Sequence, residues 1–211
     1  FGADRADSME LRMGGKPITV RSVGQAVAHG IGYATEDRKR DGLALNLDVQ
    51  YNINMAHLRQ LSRYGFIRDK EGARNAAKYR GLLRIKTPSL RQRLRNLSGG
   101  NQQKVILAKW LCNDVKVLII DEPTRGIDVG AKLEVYELLN RLSDQGVAII
   151  MISSELPEIL GMSDRVLVIH AGAVNGELDA KKTTQEEILY LAAGYNKLEG
   201  KEAPTLAAAG A

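Results

Sequence analysis

The sequence has 211 residues, of which 44% are hydrophobic, 26% charged and 5% aromatic, a composition typical of one soluble globular unit. No apolar stretch, such as residues 147–152, is longer than six residues, whereas a membrane-spanning helix needs about 20. The lone cysteine, Cys112, excludes a disulfide scaffold within the chain. Because the chain begins at Phe1 without a signal-peptide pattern, we expect it to be cut from a longer protein.

Positive charge is concentrated in one segment. Between His57 and Asn96 there are 12 Lys or Arg and two acidic residues, whereas the remaining residues carry 18 basic and 23 acidic side chains. Such a segment is typical of a surface that faces nucleic acid, anionic lipid headgroups or an acidic partner, and equally of a solvated helical face. Its three aromatic residues follow no regular stacking pattern, which argues against nucleic acid.

The first 47 residues predict short elements of both types. Two strands flank the turn pair Gly14-Gly15, which tolerates positive φ. Ser22 is a favoured N-cap for a short helix. Residues 31–34 predict a brief apolar strand, and the polar residues 35–42 predict a loop.

The rest of the chain predicts a helical segment and then alternating helices and strands. Residues 48–85 show helical spacing with breaks near Gly65 and Gly72, which indicates a helical subdomain. Further helices are predicted near 100–112, 131–145 and after 152, and strands at 117–120, 147–152 and 165–169. The strands are continuous β-branched and Leu runs, which is typical of a parallel sheet covered on both faces, so the predicted fold class is α/β.

A glycine-rich helix start forms the first candidate site. Ser98, Gly99 and Gly100 precede Gln102 and the apolar periodicity of a helix. A helix start exposes unpaired N–H groups and the positive end of the helix dipole, and glycines allow close approach, so this stretch suits a phosphate. The alternative is plain capping, because Ser is a favoured N-cap in any helix.

Two adjacent carboxylates form the second candidate site. Asp121 and Glu122 directly follow the apolar run 117–120, and ligands of open α/β sheets sit at the carboxyl ends of strands. In nucleotide hydrolysis, Asp121 would hold Mg²⁺ through water and Glu122 would polarise the attacking water. The alternative is a strand-ending turn, for which Asp and the following Pro123 are common residues.

In this order and spacing the motifs resemble those of ATP-binding cassette (ABC) transporter ATPases. Residues 97–104 resemble the signature motif, residues 121–124 the Walker B motif and residues 125–128 the D-loop. Residues 35–43, 121–132 and 153–158 are similar, more closely, to the second half of the duplicated ATPase subunits of bacterial monosaccharide importers, the ribose, xylose and galactose group. The resemblance implies a P-loop NTPase-like parallel sheet flanked by helices, with an inserted helical subdomain.

The resemblance also divides the chain into regions. Residues 1–47 would be a partial ATP-binding core with a Q-loop-equivalent region, and residues 48–96 the helical subdomain. Residues 97–195 would hold the rest of the core, with the signature, Walker B, D-loop and switch regions. Residues 196–211, which are rich in Ala and Gly, are expected to be a disordered tail.

Three departures from the general ABC pattern affect the expected site. No Walker A phosphate loop occurs in the sequence, so the resemblance places Phe1 just beyond it. Glu36 stands where the Q-loop has Gln, and Ser154 stands where the switch region has His. Glu36 can still reach Mg²⁺ but adds negative charge beside a triphosphate, and Ser154 cannot offer an imidazole. Arg125 replaces the small residue common in other ABC families, and nothing in the sequence explains it.

The resemblance implies that ATP lies between two domains, on the phosphate loop of one and the signature motif of the other. The N-terminal nucleotide-binding domain of the same full-length chain would then be completed in trans by Ser98, Gly99, Gly100 and Gln102. Asp128 of the D-loop would bridge the two domains. Asp121, holding Mg²⁺, and the catalytic Glu122 would serve the opposite site. Because Glu36 and Ser154 weaken that opposite site, we expect one hydrolytic site and one mainly nucleotide-holding site.

The resemblance therefore predicts an ATP-hydrolysing subunit that energises import of a monosaccharide, ribose or a related sugar, with ATP and Mg²⁺ as cofactors. Its partners would be a transmembrane sugar permease and, indirectly, a periplasmic or extracellular sugar-binding protein, with no nucleic acid. It would lie peripherally on the cytoplasmic face of the bacterial plasma membrane. We expect the chain alone to be inactive, since it lacks the phosphate loop.

Two alternatives remain. The chain would be a non-catalytic structural half that only donates its signature motif to the partner site, or a nucleic-acid-linked ABC ATPase. The stretch from Glu36 to Leu97 is too short for the long coiled coil of repair proteins, and the sugar-importer motifs argue against a ribosome factor.

Overall fold

A three-stranded parallel sheet forms the core of residues 1–154, the first of two units in a computed structural model that describes residues 1–4 and 6–195. The second unit begins at Glu155. Among these residues no helix is both long enough and apolar enough to cross a bilayer. The tail predicted at residues 196–211 lies outside the described residues.

The elements of both units follow one another in this order. The first unit contains β1 (Leu11–Met13), β2 (Lys16–Ile18), α1 (Val23–Ala28), β3 (Ile31–Ala34), a π-helical turn (Arg38–Gly42), α2 (Val49–Asn54), a 3₁₀ turn (Met55–His57), α3 (Leu58–Leu61), β4 (Ser62–Arg63), β5 (Phe66–Ile67), α4 (Asp69–Leu82), a second 3₁₀ turn (Leu94–Asn96), α5 (Gly99–Leu111), β6 (Val117–Asp121), α6 (Val129–Asp144) and β7 (Ala148–Ile152). The second unit contains α7 (Leu156–Met162), β8 (Arg165–His170), β9 (Ala173–Asp179) and α8 (Gln185–Ala192).

The sheet of the first unit has the strand order β3-β6-β7, with all strands parallel as predicted. Ala34 pairs with Ile120 and Asp121 pairs with Ile152, so the three strands end close to one level. Because the carboxyl ends of parallel strands meet at one edge, the residues that follow them lie side by side. The expected cover on both faces is incomplete at β7, since Ile150 is 52% exposed and Ile152 is 49% exposed.

The segment 35–42, predicted as a loop, contains the π-helical turn Arg38–Gly42. Asp37 caps this turn, because its Oδ1 accepts hydrogen bonds from the N–H groups of Lys39 and Arg40 at 3.0 and 3.1 Å. A run of charged residues conceals such a turn from the sequence, since its stability comes from the cap and not from apolar periodicity.

Residues 48–96 are mostly helical, as predicted, with a hairpin between α3 and α4. The predicted break at Gly65 is confirmed, because Tyr64 and Gly65 form the turn of β4–β5 with φ values of 51° and 83°. The predicted break at Gly72 is wrong, because this residue is buried inside α4. There Asn54 Nδ2 donates to the Gly72 carbonyl at 2.9 Å, and a Cβ added at Gly72 would lie 3.4 Å from that nitrogen.

The second unit is built around the hairpin β8–β9. The strand predicted at 165–169 is present, but its pairing with β9 is antiparallel, which corrects the parallel arrangement expected from alternating helices and strands. Ala171 and Gly172, with φ values of 48° and 81°, form the tight turn that reverses the chain. The core of this unit consists of Val166, Val168, Ala180, Ile188 and Leu191.

Candidate functional site

The acidic pair lies where β6 ends. Glu122 has a left-handed backbone conformation, φ 46°, which is uncommon for a residue other than glycine. Its N–H donates to the Ile152 carbonyl at 2.8 Å, and its side-chain Oε1 accepts from the Ser154 N–H at 2.8 Å. The structure therefore brings Glu122 and Ser154 together, through the main chain of Ser154 and not through its hydroxyl. Backbone strain of this kind is concentrated at functional sites.

Tyr33 supports Asp121 from the neighbouring strand. The Tyr33 hydroxyl donates to Asp121 Oδ2 at 3.3 Å. Burial raises the pKa of Tyr33, and the charge of Asp121 raises it further, so the phenol stays protonated and remains a donor. Sequence reasoning missed Tyr33, although its place one residue before the end of β3 puts it next to β6.

Mg²⁺ can be tested against the side chains present. Among the described residues, no group of three or more His, Cys, Asp or Glu side chains is placed to hold a metal ion. Mg²⁺ is commonly held by one or two carboxylates together with water and substrate phosphates. The pair Asp121 and Glu122 therefore fits this ion if a nucleotide and water supply the remaining ligands.

Ser98 is the N-cap residue of α5, but its side chain does not cap the helix. The exposed Ser98 Oγ accepts from Asn101 Nδ2 at 2.8 Å. The first N–H groups of an α-helix have no intrahelical acceptor, and Ser98 Oγ satisfies none of them. Side-chain capping, the alternative to phosphate binding, is thus not what the Ser98 hydroxyl does in this structure.

The two glycines after Ser98 allow close packing. A Cβ added at Gly99 would lie 2.8 Å from the Gly126 carbonyl oxygen, and one at Gly100 would lie 2.6 Å from Ala131 Cβ. Both distances are too short for any side chain. Gly99 therefore lets the turn 98–100 pack against the turn that contains Gly126, and Gly100 lets it pack against α6, in addition to any role toward a phosphate.

Gln102 lies beneath the turn 98–100 rather than on its surface. Its side chain is 5% exposed, and its Nε2 donates to the carbonyls of Leu97 at 3.1 Å and Leu94 at 3.4 Å. The amide braces the main chain that leads into Ser98. The structure thus shows that Gln102 shapes the turn, and the ATP contact expected of it from the sequence stays a prediction.

Asp128 and Glu36 have partners within the chain. Asp128 is the N-cap of α6, where its Oδ1 accepts from the Ala131 N–H at 2.9 Å. Glu36 is exposed and forms an ion pair with Arg125, between Glu36 Oε1 and Arg125 Nη1. This pair gives a reason for Arg125 that the sequence does not offer, since it neutralises the carboxylate that stands in place of a neutral glutamine.

Comparison with known sequences shows which family and which proteins this chain is similar to. The sequence profile of the ABC transporter family matches residues 2–125. The xylose import ATP-binding protein XylG of Thermoanaerobacter pseudethanolicus is 56% identical over 185 residues, which cover 88% of this chain and 37% of that protein. The arabinose import ATP-binding protein AraG of Paraburkholderia xenovorans is 50% identical over 213 residues, which cover 99% of this chain and 41% of that protein.

A third relative is a putative ribose/galactose/methyl galactoside import ATP-binding protein of Burkholderia cenocepacia. It is 52% identical over 195 residues, which cover 92% of this chain and 38% of that protein. The chain therefore spans about two fifths of the length of these curated relatives.

Solved structures share the fold. A nucleotide-free ATP-binding cassette from an ABC transporter matches with a TM-score of 0.73 at 19% identity, covering 91% of this chain and 76% of that one. A dimeric cassette in a post-hydrolysis state bound to ADP and Pi matches with a TM-score of 0.68 at 17% identity, covering 85% of this chain and 77% of that one. The predicted α/β cassette architecture is thus confirmed.

Proposed function

Because this chain belongs to the ABC transporter family, we propose that it is an ATP-binding domain that takes part in the ATP hydrolysis that drives monosaccharide import. The observation that carries the proposal is the Glu122 carboxylate, held by the Ser154 N–H beside Asp121 at the strand edge. Relatives named for xylose, arabinose and ribose/galactose import support a monosaccharide, ribose or a related sugar.

We propose two ATP sites, to each of which this chain contributes different residues. In one site, the exposed Ser98 hydroxyl and the first-turn N–H groups of α5 bind the terminal phosphate of an ATP held by the N-terminal domain of the full-length chain. In the other, Asp121 holds Mg²⁺ and Glu122 orients and polarises the attacking water. When bound, Mg²⁺ neutralises charge on the phosphates. Asp128 lies in the D-loop between the two sites.

A second candidate function is a structural half that only donates its signature turn, the turn 98–100. It is favoured by Ser154, which meets Glu122 through a main-chain N–H where the family pattern has a histidine side chain. A full-length subunit whose other site is disabled separates the two functions. Residual hydrolysis that disappears with Glu122→Gln supports a working site here, whereas no residual hydrolysis supports the structural half.

The proposed function is tested by Mg²⁺-dependent ATP hydrolysis and nucleotide binding of the purified full-length subunit. We expect both, with hydrolysis stimulated by a transmembrane sugar permease and its sugar-binding protein. A subunit that binds no nucleotide contradicts the proposal. Hydrolysis by the 211-residue chain alone contradicts the division of the site between two domains.

The basic segment, Arg59 to Arg95, is proposed to lie towards the membrane or the permease, and its hairpin is the part proposed to contact lipid. At the tip of β4–β5, Tyr64 is 87% exposed and Phe66 is 79% exposed, with the Arg63 guanidinium 5.3 Å from the centre of the Tyr64 ring. An apolar tip with basic neighbours suits anionic lipid headgroups. Full-length subunit should bind phosphatidylglycerol vesicles at low salt, and less so with Tyr64→Ser and Phe66→Ser than with the exposed control Leu189→Ser. Binding that ignores salt or these substitutions contradicts a lipid contact.

A further inference from the structure

Arg38 connects two segments that lie far apart in the sequence. Its Nη1 donates to the Arg125 carbonyl at 2.6 Å, and its Nη2 donates to the Gly126 carbonyl at 3.1 Å. Two parallel donors on one planar guanidinium fix the orientation of the turn that they contact. The side chain is partly buried, and this burial lowers the pKa of Arg38 without removing its charge.

The turn that carries Arg38 is anchored at both ends. At its start, Asp37 Oδ1 accepts from the N–H groups of Lys39 and Arg40. At its end, the buried Lys109 of α5 donates from Nζ to the Gly42 carbonyl at 2.8 Å. The guanidinium therefore extends from a fixed base, and not from a flexible loop.

The same guanidinium reaches the signature turn. A Cβ added at Gly99 would lie 2.9 Å from Arg38 Nη2 and 2.8 Å from the Gly126 carbonyl oxygen. Three segments thus meet at one point: residues 36–42, residues 98–100 and residues 125–128. The ion pair of Glu36 with Arg125 is a second link between residues 36–42 and residues 125–128. In this link the anion lies in the first segment and the cation in the second.

We infer that Arg38, assisted by the Glu36–Arg125 pair, is a positioning residue that couples the Q-loop-equivalent segment to the signature turn and the D-loop. A movement of residues 36–42 then displaces both nucleotide-facing turns together. The inference rests on the proposed function for what those turns bind. It also explains why Glu36 and Arg125, both departures from the general family pattern, occur in one chain. Exposed ion pairs contribute little alone, so the Arg38 fork carries most of the coupling.

Amide hydrogen exchange of the full-length subunit without nucleotide tests the coupling independently of any activity. In Arg38→Ala, peptides that cover residues 97–101 and 124–128 should exchange at least about tenfold faster, because two charge-assisted hydrogen bonds are lost. Arg40→Ala is the matched control, since Arg40 lies in the same turn and its ion pair is with its neighbour Asp41 at 3.8 Å. Equal exchange in the two variants overturns the inference.

Steady-state kinetics separates positioning from a merely structural role. Arg38→Ala should lower kcat by about tenfold to a hundredfold, because the signature turn is misplaced. Arg38→Lys should recover only part of this loss, because one ammonium group cannot reproduce the planar fork. Exchanging the charges of Glu36 and Arg125 should restore activity relative to either single reversal.

The outcomes distinguish the inference from the proposed function. If the wild type hydrolyses ATP and Arg38→Ala behaves like Arg40→Ala, the coupling is wrong and the proposed function stands. If the wild type shows no hydrolysis, the proposed function is wrong and the exchange experiment still decides the coupling. Should Arg38→Ala fail to fold, Arg38→Lys, which keeps the charge but loses the planar fork, must speed exchange of residues 97–101 and 124–128 relative to Arg40→Lys, or the inference is overturned.

Discussion

The acidic strand end, Asp121 and Glu122, and the signature turn, Ser98 to Gly100, are built in opposite ways. The carboxylates of the acidic strand end are held by groups of the same chain, the Ser154 N–H and the Tyr33 hydroxyl. In the signature turn, Gly99 packs against the Gly126 main chain, Gly100 packs against the Ala131 side chain, and Ser98 is exposed. One region thus presents carboxylates that the chain itself orients, whereas the other presents an exposed hydroxyl for which we propose a partner on another domain.

The largest expected effect comes from disturbing the signature turn. Gly99→Ala in the full-length subunit should lower ATP hydrolysis by about a hundredfold, because the new methyl group collides with the Gly126 carbonyl and misplaces the whole turn. The matched control is Gly81→Ala in α4, where an added Cβ meets nothing within 4 Å. That variant should keep full activity. Equal activity of the two variants would contradict the claim that hydrolysis needs the close packing of Gly99 against Gly126.

A more selective comparison uses one side chain from each region. Ser98→Ala should lower hydrolysis by at least about tenfold, because a hydrogen bond to a charged phosphate is lost without disturbing the fold. Glu122→Gln should lower it by roughly twofold at most, because the site completed by the signature turn continues to turn over. Equal losses, measured as kcat at saturating Mg-ATP, contradict one hydrolytic and one nucleotide-holding site.

The pH dependence of stability tests the burial of Lys109, the α5 residue that anchors the turn Arg38–Gly42. Burial lowers the pKa of Lys109 to about 8 in the folded chain. Above that pH the unfolded chain holds a proton that the folded chain has lost, so stability rises with pH. Between pH 8 and 9 the wild type should gain about 1 kcal/mol relative to Lys109→Met in thermal unfolding of the full-length subunit.

Cys112 sets the upper limit of this pH window. Burial raises the pKa of its thiol to about 12, so above pH 9 the unfolded chain loses a proton that the folded chain keeps, and this contribution of Cys112 offsets the gain in stability from Lys109. Lys78→Met, at an exposed position on α4, is the control for Lys109→Met and should retain the wild-type slope. A wild-type slope in Lys109→Met contradicts the burial account.

The smallest expected effect is on the acidic strand end. Tyr33→Phe removes a 3.3 Å hydrogen bond to Asp121, and in a full-length subunit whose other site is disabled it should raise the half-saturating Mg²⁺ concentration for nucleotide binding about twofold. Tyr79→Phe is matched, since it removes a 2.9 Å hydrogen bond to the Leu111 carbonyl away from both regions. It should leave the Mg²⁺ dependence unchanged. Identical Mg²⁺ curves for the wild type, Tyr33→Phe and Tyr79→Phe would contradict a role of Tyr33 in supporting Asp121.

The two regions also differ in how far the sequence predicts them. The apolar run before Asp121 predicts a buried strand, and the position after such a strand predicts a ligand-facing carboxylate. The contact of Ser154 with Glu122 is made by a main-chain N–H, which every residue except proline has, so the residue types do not predict it. The reach of Arg38 to Arg125 depends on the packing of segments 87 residues apart. Gln102 shows the same limit, because a buried brace and an exposed ligand contact are both compatible with a polar residue near a helix start.

The central claim is that the signature turn completes an ATP site on another domain. The most direct measurement is a structure of the full-length subunit closed around a non-hydrolysable ATP analogue and Mg²⁺. The account predicts Ser98 Oγ and first-turn N–H groups of α5 at about 3 Å from terminal phosphate oxygens of a nucleotide held by the N-terminal domain. A closed, nucleotide-loaded structure in which Ser98 faces solvent and contacts no phosphate contradicts it.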